Sequence, residues 1–162
     1  MSMDERLYSL RLYGERVGNH HNIYTQGPAD LSLLVRLLGG EIVIGSDTTL
    51  LEIHPDKEPT FTIFVPASTT GSHDRISIAR ALGHLFVHYL VPLKEGETHP
   101  PRSFDKRALP NIRLIEANHF AYGLLVPPNI AAPWLYLTGD PQLVAKHYSV
   151  SEQILKLACP QP

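Results

Sequence analysis

Residues 74–89 read DRISIARALGHLFVHY, and this stretch limits the chain more than any other. Small and apolar side chains surround Leu82, Gly83 and His84, and Pro92 stands just beyond Tyr89. The pattern predicts one helix from Asp74 to about Tyr89, with Ser72 or Asp74 as N-cap and Pro92 as its stop. Gly83 carries no side chain, so another segment of chain can approach the helix there. His84 and His88 stand four residues apart, roughly 40° around a helix, so both rings face the same side.

The rest of the chain predicts helices on a small sheet. Leu7, Leu10 and Tyr13 or Val17 give residues 4–17 a helical period. Pro28 can open a second helix over ADLSLLVRLL, closed by Gly39 and Gly40. EIVIG, TLLEIH and TFTIFVP read as three strands of a meander, the last alternating Phe61, Ile63 and Val65 against Thr60, Thr62 and Phe64. The proline-rich segment 92–109 reads as a long loop, followed by a helix over about 111–125 that ends at Pro127 and Pro128. The tail, DPQLVAKHYSVSEQILKLA, reads as two short helices, the second capped by Ser149 or Ser151. The layout is α+β, within one domain's length at 162 residues.

Composition excludes some functions. A net charge of −2 gives no general reason to bind nucleic acid or an anionic membrane, and Lys146 and Lys156 are too few for a DNA-reading face. No uninterrupted apolar run reaches the length of a membrane span. The one cysteine, Cys159, suits a reducing compartment, so the expectation is a cytoplasmic protein.

The two long helices carry the chemistry. A zinc-peptidase helix places two histidine ligands four residues apart, with a glutamate after the first to take the proton of the metal-bound water. A third ligand comes from a separate helix. Here His84 fills the second-histidine position and Glu116 is available as the third ligand, while Arg80 and Ala81 stand where the first histidine and the glutamate belong. A guanidinium has donors only and cannot ligate zinc, and a methyl group is no base. The residues themselves argue against hydrolysis.

RISIARALGHLFVH (75–88) and EANHFAYGLLVP (116–127) together resemble the ImmA/IrrE family of zinc-dependent peptidases. That family's helices read approximately R-x-x-x-A-H-E-L-G-H-x-x-x-H and E-A-N-x-F-A-x-x-L-L-M-P. Arg75, Ala79, Leu82, Gly83, His84 and His88 fit the first; Glu116, Ala117, Asn118, Phe120, Ala121, Leu124, Leu125 and Pro127 fit the second. The closing YSVSEQIL resembles the family's C-terminal helical segment. The resemblance implies a zincin-like fold with a small three-stranded sheet and a C-terminal helical hairpin. It divides the chain into an extension (1–27), a peptidase-like domain (28–128) and a C-terminal segment (129–162).

The same resemblance sets the functional expectations. The vestigial site is Arg80, Ala81, His84 and Glu116, with no catalytic residue. Arg80 either occupies the metal's volume and pairs with Glu116 or is an ordinary surface charge. His84 is either a leftover ligand or a half-buried ring bonded to a neighbour. The implied function is regulatory: a peptidase-like domain without catalysis that binds a helix–turn–helix repressor of a phage or mobile element and acts as an antirepressor. The edge offered to the partner is the TFTIFVP strand, and no cofactor is needed. The alternative is an active zinc peptidase with a metal site rebuilt from His84, His88, Glu116 and His119. Neither reading involves a membrane or direct contact with nucleic acid.

Overall fold

The computed structural model describes residues 1–45, 48–67 and 71–160, and the side chains of 71–73 lie outside the description. The fold is α+β, as expected. It forms two compact units, one of Met1–Asp30 with His119–Pro162 and one of Leu31–Asn118.

The second unit holds the sheet. Helix α2 (Leu31–Leu37) precedes strands β1 (Gly40–Ile44), β2 (Thr49–Ile53) and β3 (Phe61–Val65). A further strand, β4 (Ser103–Asp105), lies within the proline-rich segment, so the described sheet has four strands rather than three. The order is β1-β3-β2-β4, with β1 parallel to β3 and the other pairs antiparallel. The expected meander is therefore corrected: β3 is inserted between β1 and β2. That position also removes TFTIFVP as a docking edge, because both its sides are paired. It explains why Thr62 is buried as well as Phe61, Ile63 and Val65; a central strand has core on both faces. Among the described residues the unpaired strand edges belong to β1 and β4.

Helix α3 (Gly71–Gly83) starts before Asp74, which lies in its first turn and does not cap it. Ser72, the other expected cap, has its side chain outside the described residues. The helix then widens into a π-helical stretch, His84–Leu90, and continues as α4 (Val91–Lys94). Pro92 does not stop it. In the wider register the Val91 N–H bonds to the Phe86 carbonyl, five residues back, and Pro92 falls in the first turn of α4, where a missing N–H is harmless. Asp74–Lys94 is long and apolar enough to cross a bilayer by length and composition, but 67% of its apolar 18-residue window is buried inside the protein, as suits a core helix. Helix α2 opens at Leu31, three residues after Pro28, so that proline lies outside it.

The first unit is helical. Helix α1 (Met3–His20) begins with a capping box in which Ser2 and Glu5 satisfy each other's backbone N–H. Helix α5 (Asn111–Leu125) passes from one unit to the other at His119. Gly14 of α1 meets its C-terminal half so closely that a Cβ there would lie 2.7 Å from the Leu124 nitrogen. Pro127 and Pro128 end α5 and also open α6 (Pro128–Thr138), a helix beyond the elements read from the sequence. Asn129 donates from both its backbone and its side-chain nitrogen to the buried Glu15. Trp134 packs edge-on against His147 and Tyr148 of α7 (Pro141–Tyr148). Ser151, not Ser149, caps α8 (Glu152–Ala158); Ser149 ends α7 in the left-handed region.

The central position of β3 has a stability consequence. Ile63 is fully buried, whereas Ile44 on β1 is 71% exposed. Ile63→Ala is expected to cost about 2–5 kcal/mol and Ile44→Ala less than about 0.5 kcal/mol, measured by urea unfolding.

Candidate functional site

The site lies within the second unit, where the π-helical stretch faces the N-terminal half of α5. The two elements come together at Gly83. A Cβ at this position would stand 2.6 Å from the Ala117 carbonyl oxygen and 2.9 Å from its Cα, so only glycine permits the approach. This contact brings the residues of the two motifs within hydrogen-bonding reach.

His84 is completely buried and His88 nearly so. Their Nδ1 atoms are 3.0 Å apart, and His88 Nε2 is 3.1 Å from Glu116 Oε1. A carboxylate only accepts, so His88 donates from Nε2. The two Nδ1 atoms share one hydrogen, so a hydrogen-bonded chain joins His84, His88 and Glu116. His84 Nε2 is buried with no hydrogen-bond partner among the described residues.

Phe104 of β4 covers this chain, stacking on His84 at 5.0 Å between centroids with 22° between planes. Its role was not anticipated; the available signal was a lone aromatic, SFD, inside an otherwise polar loop. Burial lowers the His84 pKa from 6.5 to about 3, helped by His88 and by the cations Arg80 and Arg113. His84 is therefore neutral at physiological pH.

Arg80 sits one turn before His84 and donates from Nε to Asn118 Oδ1, two residues beyond Glu116. Ala81 is fully buried. His119, the fourth residue of the rebuilt-site alternative, belongs to the other compact unit, where its Nδ1 accepts from Arg11 Nη1 at 2.8 Å. Burial and the Arg11 charge lower its pKa to about 4.

The donor set is short of what a zinc site needs. Arg80 supplies no lone pair, and the Nδ1 atoms of His84 and His88 are spent on each other, which leaves His84 Nε2 as the one uncommitted ring nitrogen of the pair. Among the described residues no three His, Cys, Asp or Glu side chains are grouped to hold a metal. What the arrangement provides is an internally bonded polar chain. It holds two helices in register through groups that would otherwise be costly to bury.

Two predictions follow from this geometry. Gly83→Ala should destabilise the protein by about 1–3 kcal/mol, despite the gain of about 1 kcal/mol that alanine gives within a helix; urea unfolding reads the sign. For pH, His84 and His119 both have folded pKa values below the ordinary 6.5. Their contribution is complete above 6.5 and is lost as pH falls toward 4 and 3, because the unfolded chain takes the protons first. Stability should fall between pH 6.5 and 4, and His84→Gln should make that slope shallower.

No family model and no curated protein matches the chain. Among solved structures, it is similar to a Mycobacterium tuberculosis transcriptional regulator, with a TM-score of 0.59 and 20% sequence identity. The match covers 95% of this chain and 47% of that one, so this chain spans about half the length of the regulator. At this identity the likeness is one of fold.

Proposed function

We propose that the protein is a catalytically silent regulatory module of ImmA/IrrE type, acting by binding another protein rather than by cutting it. One observation carries the reading. The position of the family's first histidine ligand holds Arg80, bonded to Asn118, and the second-ligand position holds His84, whose Nδ1 is tied to His88 and, through it, to Glu116. Arg80 offers a metal no lone pair, His84 is held to His88 through Nδ1, and Ala81 offers no base.

The partner class we propose is a helix–turn–helix repressor of a phage or mobile element, with this protein as antirepressor. The motif resemblance supports that choice. The similarity in fold to half of a transcriptional regulator is compatible with it. The strand edge that borders the site is β4, whose Phe104 stacks on His84, and a peptide segment of the partner would add there.

The test combines untagged purified protein with the repressor encoded beside it, with and without EDTA. The reading expects a stable complex by size-exclusion chromatography, an intact repressor by mass spectrometry, and no effect of EDTA. Repressor fragments that vanish with EDTA, together with one zinc per chain by elemental analysis, would instead establish the rebuilt peptidase site of His84, His88 and Glu116.

A further inference from the structure

The π-helical stretch has a second face. A π register advances about 4.4 residues per turn, so Leu85 and Tyr89 or Leu90 fall together on a side other than that of His84 and His88. With Leu38 after α2, Ile53 at the end of β2 and Phe61 at the start of β3, they line a cavity of about 140 Å³. The cavity lies wholly within the second unit.

Its chemistry is one-sided. Thr60 also lines it, but the Thr60 hydroxyl is engaged with the Gly39 carbonyl at 3.1 Å. Among the described residues no charged side chain contributes to the wall. Close-packed interiors contain few voids larger than a water molecule, and a volume of roughly 150 Å³ walled by Leu, Ile and Phe is enough to accept benzene. Ile53, Phe61, Leu85 and Tyr89 form a buried apolar floor, while Pro55 is exposed and Leu38, Thr60 and Leu90 are half-buried, so the cavity opens to solvent on that side. A free molecule can enter by this mouth, and the volume takes one compact group. Stretches of π-helix are rare and occur frequently at functional sites, and here one forms a wall of the cavity.

We infer that this cavity is a binding site for a small molecule bearing a compact, uncharged hydrocarbon group the size of a benzene ring or a branched chain of similar volume. The site is separate from the His84–His88–Glu116 chain and independent of whether a repressor is the partner.

Methyl-labelled protein titrated with toluene tests this by NMR. The methyl signals of Leu38, Ile53, Leu85 and Leu90 should shift saturably, while those of Leu50 and Ile78 stay in place. Benzoate, of similar shape but charged, should leave all of them unmoved. Leu90→Phe fills the cavity and should weaken toluene binding by about tenfold or more while the thermal transition stays cooperative; Leu38→Phe fills it from another wall should the first variant not fold. Absence of saturable shifts, shifts spread equally over the core, or undiminished binding by a folded filling variant would overturn the proposal. Tighter binding of N-acetyl-phenylalaninamide than of toluene at the same methyls would also overturn it, by assigning the cavity to a partner's side chain.

Discussion

The backbone contact between Gly83 and Ala117 is the constraint on which the rest of the site depends. Helices normally pack with axes separated by their side chains, roughly 8–10 Å apart. Removing the side chain at one position lets a carbonyl of the second helix approach closely enough to collide with any Cβ. At that separation short polar reaches become possible. His88 can touch Glu116, and Arg80 can touch Asn118, without long side chains bridging a gap.

The contact also decides what the buried histidines can be. Protonating His84 would place a further charge beside His88, Arg80 and Arg113 in a site without water-like screening. The ring remains neutral and is held in the polar chain through His88. Burying such groups is favourable only when their hydrogen bonds are made, and all but one nitrogen of this chain make them. An arrangement that would serve metal chemistry if its nitrogens were free serves here to fix helix register, much as buried polar residues specify pairing in other helical assemblies.

Much of this was legible in the residues. The zinc-helix pattern, the distant EANHFAYGLLVP helix and the glycine between them are local features, and the structure places them face to face. Glu116 and Arg80 were both expected at the site, and the structure shows a bond from Glu116 to His88 and one from Arg80 to Asn118, neighbours that spacing along a helix does not single out. The sheet was less legible. The β1-β3-β2-β4 order depends on pairing between distant segments, and the hydrophobic pattern of a five-residue strand says which faces are buried but not which neighbours it takes. The continuation of the helix past Pro92 was hidden because a π register changes which carbonyl loses its donor. Helix α6 was hidden because Pro128 and Pro133 read as turn residues, although the first position of a helix accepts proline.

The central claim is that His84 is a structural residue, tied through Nδ1 to His88. Long-range proton–nitrogen NMR of the histidine rings, recorded with and without equimolar zinc, addresses it most directly. The account predicts one hydrogen shared between the Nδ1 atoms of His84 and His88, a proton on His88 Nε2, and no movement of either ring's nitrogen shifts when zinc is added. Displacement of the His84 Nε2 resonance to a metal-bound value, with loss of the Nδ1 hydrogen bond to His88, would contradict it.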